Sequence, residues 1–127
     1  MKLLGIDYGT KRVGIATADT DAGMAFPKLV VKNDDGLVKA VKDICEKEKV
    51  EKIILGESKD LEGKDNLIAE DIKEFKIVLE KETGLTVIYE PEFYTSMQAA
   101  RLQGENDMID ASAATIILQS YMDKFKG

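Results

Sequence analysis

The chain has 127 residues, the size of one domain with a single core, and it contains no histidine, which excludes Ser-His-Asp and Cys-His catalysis and histidine zinc sites. Its one cysteine excludes an intrachain disulfide, so hydrolytic chemistry would have to rest on carboxylates, lysines, hydroxyls or a metal held by oxygen ligands. A net charge of −6, from 18 basic and 24 acidic residues, counts against a general nucleic-acid binder, although local patches and bound cations still decide such contacts.

Lys2–Tyr8 (KLLGIDY) is a short, nearly continuous apolar run and predicts a strand buried on both faces. Gly9-Thr10-Lys11 turns the chain, and Arg12–Asp19 (RVGIATAD) alternates, so the two runs predict a hairpin. Ala25–Val31 predicts a third strand, at an edge because Pro27 cannot donate to a ladder. Asp34 and Asp35 are N-cap candidates for a helix with Leu37, Val41, Ile44, Cys45 and Glu48 at helical spacing. Cys45 on that apolar face reads as a buried structural thiol. Val50–Gly56 predicts a fourth strand. Asp65–Thr83 predicts a long helix with Ile68, Ile72, Phe75 and Leu79 on one face, ended by Gly84. Leu85–Glu90 predicts the last strand, a helix capped by Thr95 or Ser96 follows to Leu102, and a final helix spans Asp110–Phe125.

The order β-β-β-α-β-α-β-α-α implies an α/β fold, with a mixed five-stranded sheet flanked by helices and a single domain over 1–127. No run approaches the ~20 apolar residues of a membrane span. The opening residues lack the apolar stretch and cleavage site of a signal peptide. The expectation is a soluble, cytoplasmic chain, monomeric or weakly homodimeric.

Sites in such sheets gather outside the carboxyl ends of parallel strands. Asp7 ends the first strand, Glu57 lies just past the fourth, and Glu90 and Glu92 follow the fifth. Asp7 reads equally as a turn aspartate beside a glycine or as an ionised carboxylate that binds a divalent cation. Asp110 shares an apolar helical stripe with Ala113, Ala114, Ile117, Leu118 and Tyr121, yet it also reads as an N-cap. Glu92 sits in a loop with two acids, a proline and two aromatics, whereas Glu90 by itself reads as solvated. The polar segment from Gly56 to Asp65 offers Lys59 and Lys64 to a substrate. Arg12, near Asp7 in sequence, is placed to reach a phosphate.

The segment from Gly5 through Ala16, followed by Asp19, closely resembles the opening of the YqgF family, also called RuvX. That family is known by two descriptions, Holliday junction resolvase and pre-16S rRNA nuclease. The resemblance runs through Gly56, Leu61-Glu62-Gly63 and Glu92–Ala99, and ends in Ile109–Ala114 and Ile117–Tyr121, so it spans essentially the whole chain. It implies an RNase H-like fold. It also implies catalytic and metal-ligating roles for Asp7, Glu92 and Asp110, with Mg²⁺ or Mn²⁺ as cofactor and a ribosomal RNA precursor or branched junction DNA as substrate. Lys11, Arg12, Lys59 and Lys64 would then be the nucleic-acid contacts. Two departures stand out. Pro91-Glu92-Phe93 replaces the family's usual Asp-Glu-Arg, and Gly56-Glu57-Ser58 replaces its Gly-Leu-Pro, which makes Glu57 a possible substitute carboxylate. The Asp-Tyr-Gly-Thr opening also resembles the phosphate motif of two-lobed sugar kinases and chaperone ATPases, but 127 residues hold one such lobe. A non-catalytic RNA-binding or ATP-binding module is the remaining alternative.

Overall fold

The computed structural model describes residues 1–58, 69–92 and 107–124. Five strands, β1 (Lys2–Tyr8), β2 (Arg12–Asp19), β3 (Met24–Lys32), β4 (Lys52–Ser58) and β5 (Thr86–Glu92), form one sheet in the order β3-β2-β1-β4-β5. Helices α1 (Leu37–Glu48), α2 (Ala69–Thr83) and α3 (Asp107–Asp123) cover its faces. β1 pairs antiparallel with β2 and parallel with β4, and β4 pairs parallel with β5, so the sheet is mixed as the element order implies.

The central place of β1 explains its apolar run, since Leu3 to Asp7 are all buried. Leu4 and Ile6 turn to one side, where Val13, Ile15, Ile53 and Leu55 meet Leu37, Val41 and Cys45 of α1 and Ile72, Phe75 and Leu79 of α2. Cys45 is a buried thiol, as its place on the helix suggests, and burial together with Glu46 pushes it up to about 11, so it stays protonated and unreactive at neutral pH. Leu3 turns to the other side, with Ala16, Ala18, Ala25 and Ile54 packed against Ala114, Ile117, Leu118 and Met122 of α3. This second face is built of small residues, so the helix lies close. A Cβ on Gly5 would stand 2.8 Å from Leu118 Cβ and 3.0 Å from the Ala114 carbonyl oxygen.

Several boundaries differ from the sequence expectation. The alternation read in β2 is masked, because α3 buries the second face as well and Val13–Ala16 are all buried. β3 is an edge strand that accepts Pro27, and the register shifts between Ile15 and Ala16 at that proline. Lys28 at the shift reaches Glu48 at the end of α1 at 2.8 Å and holds that carboxyl below its ordinary range. The N-cap of α1 is Gly36, not Asp34 or Asp35. Asp34 Oδ1 instead accepts the Gly36 N–H at 2.9 Å, a turn that precedes the helix. Gly84 adopts φ 71° and donates to the Glu80 carbonyl, the helix-ending role its position predicts. β4 and β5 each end two residues later than expected, because Glu57 pairs with Pro91 and Ser58 with Glu92. The expected start of α2 before residue 69, and the helix from 95 to 102, lie outside the described residues.

Candidate functional site

Asp7 is the sixth residue of β1 and only 4% exposed. By strand alternation it faces the same side as Leu3 and Gly5, the side covered by α3. Its partner on β2 is Gly14, and one step beyond the Ile6–Leu55 pair its neighbour on β4 is Gly56. The residues directly beside Asp7 on the two adjacent strands are therefore both glycines. A buried carboxylate is costly unless its charge is met, and two flanking glycines leave room for what meets it.

α3 runs antiparallel to β1. Its later residues Tyr121 and Met122 lie beside Met1 and Leu3, while Ala114 and Leu118 lie at Gly5. Four residues back along the helix is ~6 Å, and two residues on along the strand is ~6.6 Å, so the backbone carries Asp110 toward the level of Asp7. Asp110 is not the N-cap, since α3 begins at Asp107 and Asp110 is its fourth residue. Glu92 is not in a loop, being the last residue of β5. The backbone positions of the three acids thus lie at one end of the sheet. The side chains of Glu92, Asp110 and Glu57 lie outside the described residues, as do Lys59 and Lys64 altogether. Among the described residues no group of three or more potential metal ligands occurs.

The hairpin loop beside Asp7 is tightly made. A Cβ on Gly9 would collide with the Arg12 carbonyl oxygen, so the turn requires glycine. Asn33, just past β3, pins the loop from outside. Its side-chain N–H donates to the Gly9 carbonyl at 2.7 Å, and its backbone N–H donates to the Lys11 carbonyl at 3.0 Å. Thr10 and Lys11 are left exposed and Arg12 is half-buried. Since Val13 belongs to the core under α1, Arg12 falls on the α3 side of the sheet, the side of Asp7.

Glu90 corrects the sequence reading, which left it solvated. It is only 3% exposed, and it pairs with Gly56 on the side of Gly56 away from Asp7. Ser120 Oγ donates to Glu90 Oε2 at 2.9 Å, and Lys124 Nζ donates to Oε1 at 2.8 Å. The one local signal was its alternation with Ile88, which faces the α3 core; its partners lie 30 and 34 residues away. A cleft of about 400 Å³ at the opposite end of the sheet, lined by Met1, Leu3, Lys52 and Tyr121 among others, has no carboxylate among the described residues of its wall.

The model of the RuvX family, described as Holliday junction resolvase, matches residues 1–124. The chain belongs to the RuvX family. Two relatives show how completely the match extends. A protein of Nitratidesulfovibrio vulgaris, named "Putative pre-16S rRNA nuclease", is 35% identical over 133 aligned positions, covering 97% of this chain and 94% of its own. One from Caldanaerobacter subterraneus subsp. tengcongensis, with the same name, is 34% identical and covers 99% of each chain. Among solved structures, T. thermophilus RuvC in complex with a Holliday junction substrate superposes with a TM-score of 0.66 at 18% identity, over 100% of this chain and 96% of that one. The Fowlpox virus resolvase gives 0.59 at 13% identity, with both chains fully covered. At these identities the likeness establishes the fold, which in this RuvX chain is RNase H-like α/β.

Proposed function

We propose that this RuvX-family chain is a metal-dependent nuclease that hydrolyses phosphodiester bonds in the 5′ region of a 16S ribosomal RNA precursor, working as one cytoplasmic domain over 1–127. The observation that carries this reading is Asp7, a buried carboxylate at the end of the central strand, flanked by glycines, in a family whose relatives bear that name. Asp7, Glu92 and Asp110 are the proposed catalytic set. Their donors are all hard oxygens, and they fit Mg²⁺ or Mn²⁺ and not a soft metal. A divalent cation there would supply Lewis acidity for phosphodiester cleavage.

The remaining work falls to the protein's own groups. Asp7 is held at the buried end of β1, where bulk water is largely excluded. The loop pinned by Asn33 presents Lys11 and Arg12 to the substrate backbone, with Lys59 and Lys64 as further contacts. Phe93 stands where the family usually has arginine, and Arg12, beside Asp7 on the α3 side of the sheet, is the guanidinium proposed to contact a phosphate. Glu substituted for Arg12 should therefore weaken RNA binding several-fold more than Glu at Lys81, in the last turn of α2. Equal losses in a filter-binding titration would mean diffuse electrostatics and would remove Arg12 from the site.

The family model's description favours a second substrate, four-way junction DNA. The deciding experiment incubates the protein with precursor 16S rRNA and with a four-way junction, each in Mn²⁺ and in EDTA. The reading expects Mn²⁺-dependent cleavage of the RNA in preference to the junction. Preference for the junction would transfer the function to DNA, and no cleavage of either would overturn the nuclease reading.

A further inference from the structure

Asp7 and Glu90 are the two buried charged residues among those described, and they stand on one face of the sheet on either side of Gly56. Glu90 is tied up differently from a ligand, since one of its oxygens accepts from Ser120 of α3 and the other from Lys124, the residue just past the end of α3. These bonds cross between two elements that carry the other proposed acids. β5 is an edge strand, paired on one side only, and Glu92 follows two residues after Glu90. α3 packs mainly over β1, β2 and β3, and Asp110 stands ten residues before Ser120, ~15 Å along a rigid helix. A helix held at its C-terminal end by a buried carboxylate, through Ser120 and the exposed Lys124, cannot slide or rotate over the edge strand without leaving that carboxylate unpaired.

We propose that Glu90, clamped by Ser120 and Lys124, is a positioning residue that sets α3 against β5 and thereby the separation of Asp110 and Glu92 around Asp7. This rests on the nuclease reading above. Lys124 separates positioning from simple electrostatics, because the two effects have opposite signs. Its ammonium is a positive charge on Glu90, which stands two strands, ~10 Å, from Asp7, so if charge alone mattered, Lys124→Met would tighten cation binding. If the clamp positions the acids, the same change weakens it.

The test measures Mn²⁺ affinity by calorimetry, well below the unfolding temperature, in wild type, Lys124→Met, Ser120→Ala, Asp7→Asn and Leu79→Ala. The last is a destabilised control on the opposite face. Lys124→Met and Ser120→Ala should bind Mn²⁺ about tenfold or more weakly, the usual cost of losing a group that orients ligands, while Leu79→Ala binds as wild type. Affinity unchanged or tighter in Lys124→Met, or equally weak in Leu79→Ala, would overturn the positioning role while leaving the metal site standing. No Mn²⁺ binding by wild type, or wild-type binding by Asp7→Asn, would instead overturn the metal-site reading and this inference with it.

Discussion

Asp7→Asn should leave a folded protein whose cleavage rate falls by about 10³-fold or more, the scale seen when one member of a co-operating catalytic set is removed. Asparagine matches the shape of aspartate, so the packing around Gly14 and Gly56 is kept. What is lost is the negative charge that a cation needs. Mn²⁺ should raise the melting temperature of the wild type, because a ligand that binds only the folded state raises stability, and the same substitution should abolish that rise. With metal in hundredfold excess over its dissociation constant, that rise corresponds to ~2.7 kcal/mol. Thermal melts with millimolar Mn²⁺ or EDTA, run beside the cleavage assay, check both statements. A wild type whose melting temperature ignores Mn²⁺ would argue against a formed site. Cleavage by Asp7→Asn in EDTA would point to a contaminating nuclease.

Gly5→Ala should destabilise the fold by ~1–3 kcal/mol, even though alanine is normally the better residue in a strand interior by roughly 0.5–1 kcal/mol. The clash decides the sign. The new methyl would meet Leu118 Cβ at 2.8 Å and the Ala114 carbonyl oxygen at 3.0 Å, and neither belongs to the flexible end of a side chain. The strand and α3 have to move apart, and the small-residue face of Ala16, Ala18 and Ala25 loses contact with the helix. For a domain of this length each kcal/mol is roughly 3–5 °C of melting temperature. Because Gly5 lies two residues before Asp7 and beneath the helix that carries Asp110, activity should fall further than stability does at temperatures where the variant is folded. Urea denaturation gives the first quantity, and single-turnover cleavage gives the second. A Gly5→Ala protein as stable as wild type would mean that α3 leaves room for a methyl group over β1.

Much of the architecture was legible because its causes are local. The apolar run of β1, the proline of the β3 edge, the spacing of Ile72, Phe75 and Leu79 and the glycine after α2 each act through neighbours within a turn or a strand pair. The resemblance to the family rested on equally local motifs, from Gly5 to Ala16 and from Ile109 to Tyr121. Other features depended on contacts that no local pattern encodes. Glu90 read as solvated because Ser120 and Lys124, which hold it, are 30 and 34 residues away. Glu92 read as a loop residue because Pro91 looked like a strand breaker. On the outer strand of the sheet a missing N–H costs no ladder bond, so β5 runs through it. Asp110 read as a cap because the local sequence shows a polar residue before small ones, while the helix begins three residues earlier. Composition and motif thus determined which elements form and which acids to consider. Only the packing of α3 across the sheet decided which charge is buried, what neutralises it and how near the helix stands to Asp7.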